Sequence, residues 1–139
     1  MERIAIASVL LAVAVATAAA VRRRQPDPPT QARWTVPAQL DRADFDHPDR
    51  PWLVLVFTSA TCESCARATA KAEVLASQEV AYQEVSWQEQ PDLHRKYGVE
   101  VAPAIVFADW EGVVRASFVG PPSATDLWAA VADVRDRAG

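Results

Sequence analysis

The two cysteines of this 139-residue chain, Cys62 and Cys65, follow directly on the apolar run Trp52-Leu53-Val54-Leu55-Val56-Phe57 and the polar turn Thr58-Ser59-Ala60-Thr61. The run is too continuous to alternate, so it predicts a central strand buried on both faces. The first cysteine is expected to open the helix that follows, Cys62 to about Gln78, which is rich in alanine and free of Gly and Pro. Thr61 or Ser59 is placed to cap it. A thiol at a helix N-terminus faces unpaired backbone N–H groups and the positive end of the dipole, and both favour thiolate. Side chains three apart on a helix are neighbours at about 5–6 Å between Cβ atoms. A disulfide needs about 3.5–4.5 Å, a gap that the first turn of a helix can close. Two cysteines at this spacing suit reversible exchange and do not make a disulfide scaffold.

Composition sets the surroundings of this pair. Half the chain is hydrophobic, and residues 34–139 are enough for one core. That stretch carries nine Lys/Arg against sixteen Asp/Glu, a net charge of −7. Nucleic acid is not an expected partner, because no basic patch is available to replace counterions.

Ile4–Val21 is an apolar stretch with only Ser8 and Thr17 mildly polar. As a helix it spans about 27 Å, near the hydrocarbon thickness of a bilayer. The flank before it offers Glu2 and Arg3, the flank after it Arg22-Arg23-Arg24. Basic residues mark the cytoplasmic side. Residues 1–24 therefore read as a retained single-pass anchor with its basic flank, the domain lying in the cytoplasm. The alternative is export after cleavage, since Ala16-Thr17-Ala18 and Ala18-Ala19-Ala20 resemble a signal-peptide site. Residues 25–33, with Pro26-Asp27-Pro28-Pro29, read as a stiff linker.

Residues 34–139 form the expected domain. Trp34-Thr35-Val36 predicts a short edge strand and Gln39–Phe45 a turn or short helix. Val80–Trp87 predicts a second, parallel strand. Asp92–Tyr97 predicts a short helix stopped by Gly98, and Ala104–Phe107 a third strand. Asp109-Trp110-Glu111-Gly112 predicts a hairpin turn into Val113–Val119. Ser123 caps a last helix with Leu127, Trp128, Val131 and Val134 at helical spacing. The expected class is α/β, with helices on both faces of a mixed sheet of about four to five strands. In the helix after the cysteines, Ala66, Ala70, Val74 and Leu75 are expected to face that sheet. Trp52, Trp87 and Trp128 are assigned to the core, Trp110 to a position folded back over the hairpin, and His94 to solvent.

From about Val36 to Val134 the chain resembles the thioredoxin-fold family. The resemblance rests on four landmarks: the strand–CxxC–helix unit; Tyr97-Gly98-Val99 before Ala102-Pro103; the hairpin with Gly112; and Gly120 before the last helix. It implies a cis-proline at Pro103 lying against the cysteines, with the backbone of Ala102 pairing to a bound substrate strand. It further implies that Cys62 attacks a substrate disulfide and Cys65 resolves the mixed disulfide. The motif departs from W-C-G-P-C: Thr61, Glu63 and Ser64 take the variable places. Val56 stands where the family has a buried aspartate, and Ala70 replaces a helix-kinking proline.

Several residues are candidates for tuning the pair. Glu63 is expected to raise the pKa of Cys62, Ser64 to donate to sulfur, and Glu84 to stand in for the missing proton acceptor. An exposed strand carboxylate is the plainer reading of Glu84, since the strand register decides it. No cofactor is expected. A metal site is not expected either, because zinc asks for four ligands and only His47 and His94 remain beside the cysteines. The expected function is thiol–disulfide exchange, as reduction of a disulfide-containing protein substrate at the expense of a separate reductant. A non-catalytic binding module or redox sensor, an exported disulfide handler and a metal carrier remain as alternatives.

Overall fold

A computed structural model describes residues 36–138. The expected anchor over 1–24, the linker 25–33, and Trp34 and Thr35 of the expected edge strand lie outside the described residues. Val36 itself is not in a strand. Among the described residues no helix is long and apolar enough to cross a membrane.

Four strands form one sheet: β1 (Trp52–Thr58), β2 (Val80–Ser86), β3 (Ala104–Ala108) and β4 (Val114–Val119), in the order β2-β1-β3-β4. β1 runs parallel to β2 and antiparallel to β3, and β4 is antiparallel to β3. Three helices accompany them: α1 (Cys65–Glu73), α2 (Pro91–Tyr97) and α3 (Ala124–Ala138), with a short 3-10 turn at Arg42–Asp44. Gly98 ends α2 in the left-handed conformation (φ 63°), where glycine pays no steric penalty. Ser123 caps α3, its hydroxyl accepting from the Asp126 N–H at 3.0 Å.

Successive residues of β1 point to opposite faces, and both faces are covered. Leu53, Leu55 and Phe57 join Val85, Val99 and Val106 in one cluster, under the 3-10 turn and α2. Val54 and Val56 join Ile105 and Phe107 in the other, under Ala68 and Ala72 of α1 and Leu127 and Val131 of α3. The continuous apolar run of β1 follows from this double burial. Ala66, Ala70 and Val74, expected against the sheet, are exposed instead. The inward face of α1 is Cys65, Ala68 and Ala72, and Leu75 packs at its margin.

Gly112 closes the hairpin at φ 81°, where a Cβ would stand 2.1 Å from the Leu40 carbonyl oxygen. The Leu40 N–H donates to the Gly112 carbonyl at 2.8 Å, so the segment before the sheet is laid against the hairpin by backbone contact. Trp110 is not folded over this hairpin; it is 67% exposed.

Candidate redox site

β1 ends at Thr58 and hands the chain to a tight turn. The Cys62 N–H donates to the Ser59 carbonyl at 3.1 Å, and the Cys65 N–H to the Cys62 carbonyl at 3.4 Å. The helix therefore begins at Cys65, with Ser64 at its N-cap, and not at Cys62. Neither Ser59 nor Thr61 caps it; their hydroxyls lie 3.2 Å from each other. The turn is also held from outside, because the Ala60 N–H donates to Gln88 Oε1 at 2.9 Å and the Trp87 N–H to the Thr58 carbonyl at 2.9 Å.

Cys62 and Cys65 are bonded as a disulfide with Cα atoms 5.5 Å apart. Cys65 sits in the core at 6% exposure, while Cys62 is partly exposed. Glu63 points to solvent. The Ser64 hydroxyl lies 3.8 Å from Cys62 Sγ, and a disulfide sulfur can only accept from it.

Two cavities meet at the disulfide. One, of about 430 Å³, is lined by Cys62, Thr61, Trp87, His94, Glu100 and Ala102, among others. Pro103 is buried behind Ala102, the peptide between them is cis, and the Pro103 carbonyl accepts from the Gly120 N–H at 2.8 Å. The other cavity, of about 540 Å³, is lined by Cys62, Cys65, Glu73, Glu84 and Glu89, among others. Register explains why Glu84 belongs here. It pairs with Val56 and lies two residues beyond Tyr82, which packs on the α1 side of the sheet. Its carboxylate accepts from the Thr58 hydroxyl at 2.7 Å. Burial, then the charges of Glu84 and Glu73, push the neighbouring Tyr82 hydroxyl up to about 12.

Three residues at the site contradict or escape the sequence reading. His94 is not solvated but 4% exposed. Its Nε2 donates to the Val85 carbonyl at 2.8 Å, and Nδ1 faces the Val99 carbonyl at 3.3 Å. Trp87 is not a core residue; at 40% exposure it walls the cavity beside Cys62. Its ring is edge-on to His94 (centroids 5.3 Å apart) and carries the Arg95 guanidinium at 5.4 Å. Gln88, the latch on the turn, had no signal in a polar stretch. For His94, the spacing of Leu93, His94 and Tyr97 along one short helix was the available hint. Trp128, also expected in the core, is 45% exposed.

No family model matches this sequence, and no curated protein matches it either. Solved structures do. The thioredoxin of Fasciola hepatica is 26% identical over 60% of this chain and 80% of its own, with a TM-score of 0.52. The germline-specific thioredoxin Deadhead of Drosophila melanogaster is 24% identical over 62% of this chain and 83% of its own, with a TM-score of 0.54. A thioredoxin variant of Halobacterium salinarum is 23% identical over 63% of this chain and 77% of its own, with a TM-score of 0.55. The domain has the thioredoxin fold, α/β with a mixed four-stranded sheet and three helices. A bonded CxxC pair at the end of its first strand fits thiol–disulfide exchange.

Proposed function

We propose that the chain reduces disulfides of protein substrates through Cys62 and Cys65. The observation that carries this reading is the unequal access of a bonded pair: Cys65 is buried while Cys62 opens onto the cavity it shares with Ala102. In the reduced protein, the Cys62 thiolate attacks one sulfur of the substrate disulfide. A mixed disulfide forms, and the other substrate sulfur leaves as thiolate and takes a proton. Cys65 then loses its proton and attacks Cys62 Sγ. The substrate departs as a dithiol, and the protein is left with the Cys62–Cys65 bond. Two electrons have passed to the substrate, so a separate dithiol reductant must restore the pair. Glu84 is a candidate acceptor for the Cys65 proton through the cavity they share, and Ala102 and Pro103 are the candidate backing for the substrate strand.

Placement at a membrane belongs to the same proposal. The apolar run 4–21 followed by Arg22-Arg23-Arg24 supports an anchor with the domain in the cytoplasm, where thiols are kept reduced. A second reading, a redox sensor or binding module, draws on Val56, an apolar core residue on the α1 side of the sheet where the family that the sequence resembles has a buried aspartate. The two readings separate in one assay. The full chain, supplied with a dithiol, should reduce a disulfide-bonded test protein catalytically, and Cys62→Ser should not. A wild-type chain that is itself reduced but passes no electrons on is a sensor.

A further inference from the structure

The carboxylates that line the cavities at the disulfide are in no ion pair among the described residues. Glu73, Glu84 and Glu89 line the cavity on one side of Cys62, and Glu100 lines the cavity on the other. Glu63 stands exposed between the two cysteines. No lysine or arginine is among the residues lining either cavity. The ion pairs among the described residues engage other carboxylates: Asp92, Asp44, Asp109, Glu79 and Asp133. His94, the remaining basic group at the cavity wall, is turned to two backbone carbonyls. The aromatic wall is a separate observation pointing the same way. Trp87 holds the Arg95 guanidinium at 5.4 Å, so the indole at this wall is a surface on which a cation rests.

We propose that the substrate of this site is cationic: a polypeptide cystine flanked on both sides by lysine or arginine. This rests on the exchange reading above and narrows its substrate class. A chain crossing Cys62 lays its flanking side chains into both cavities, where one meets Trp87 and Glu100 and the other meets Glu84 and Glu89. Acidic partners, and small anionic disulfides, are repelled from the same sulfur. A concave site lined by one sign of charge also gathers oppositely charged partners from solution, by about tenfold or more at low ionic strength.

The test uses the full chain, reduced, with three disulfide probes: a cystine peptide flanked by lysines, the same peptide flanked by glutamates, and cystamine. Exchange rates are read at low salt and again near 0.5 M. At low salt the lysine peptide should exchange roughly tenfold or more faster than the glutamate peptide, and salt should collapse the ratio. In the Glu89→Gln/Glu100→Gln variant the ratio should fall severalfold; being a ratio within one variant, it is unaffected by loss of overall rate. Equal rates for the two peptides, or a ratio the variant leaves unchanged, overturn the inference while leaving exchange intact. A preference for cystamine over the lysine peptide overturns the polypeptide part. If none of the probes is exchanged, the exchange reading fails and this inference falls with it.

Discussion

At the end of the sheet where Thr58 pairs with Ser86 and Phe57 with Ala104, the carboxylates that line the cavities are in no ion pair among the described residues. Glu73, Glu84, Glu89 and Glu100 line cavities that hold no lysine or arginine. At the opposite end, where Trp52 pairs with Val80 and the hairpin leaves Ala108, the same kinds of residue are tied together. There Asp109 is buried; its Oδ1 accepts from the Glu111 and Val113 N–H groups at 3.0 Å each, and its Oδ2 accepts from Arg115 Nε at 2.7 Å. Arg115 and Arg137 line the cavity of that end beside Trp52 and Trp110. Both ends contain a tight turn, yet one is built around a satisfied carboxylate and the other around a bond that can open. The difference shows how a strongly acidic domain can divide its charge. The carboxylate that folds the hairpin is neutralised by hydrogen bonds and one guanidinium, while those lining the cavities near sulfur are in no ion pair among the described residues.

The comparison breaks most sharply at the cysteines. Cys62→Ser should lower disulfide reduction by at least about a thousandfold, since the thiol that remains, Cys65, is buried at 6% exposure. Its thermal unfolding should stay cooperative, which differential scanning calorimetry would check. The far end should respond in the opposite way. Gly112→Ala places a Cβ 2.1 Å from the Leu40 carbonyl at a positive φ, so it should cost roughly 2–4 kcal/mol of stability in denaturant unfolding. The exchange rate of the fraction still folded should hardly change.

Two smaller effects sharpen the picture. Trp87→Ala removes the aromatic wall but no sulfur or carboxylate. It should raise KM for the lysine-flanked peptide severalfold with kcat nearly kept, as initial-rate kinetics would show. Asp44 offers a pH test away from the site. Hydrogen bonds from Lys96 and then Tyr97 hold its carboxyl below the usual carboxylate range. With the folded value lowered, its contribution is full above the unfolded pKa of about 3.9 and is lost as pH falls through the folded value. Asp44→Asn should therefore lower stability by less than about 1 kcal/mol at pH 7. The gap between variant and wild type should close at the acid end of a series of melts.

The strands were legible because their apolar runs reflect burial on two faces, as in β1, or on one. α1 was harder. Alanines at 66, 68, 70 and 72 occur in every second position, so hydropathy cannot tell the inward pair, Ala68 and Ala72, from the outward one. Its ends escaped for a different reason. The turn at Ser59–Ser64 is set by backbone hydrogen bonds and by Gln88 across the sheet, a non-local partner. The helix stops at Glu73 because the chain must return to the start of β2, where the Trp52 N–H meets the Glu79 carbonyl at 3.0 Å. The cysteine pair could be picked out by its spacing and its place after an apolar run, and Ala102 by the resemblance to the thioredoxin fold. The wall formed by Trp87 and His94 could not, since their roles depend on which strand end lies beside the turn. Charged neighbours such as Arg95 and Lys96 made His94 look solvated, although a helix turns adjacent residues to different sides.

The central claim is that Cys62 receives the substrate and Cys65 releases it. It is tested most directly by trapping with the full chain. Reduced Cys65→Ser and reduced Cys62→Ser are each mixed with the lysine-flanked cystine peptide and examined by mass spectrometry. The account predicts a long-lived mixed disulfide on Cys62 in the first variant and essentially no adduct on Cys65 in the second. Faster adduct formation on Cys65 than on Cys62, or no adduct on either, would contradict it.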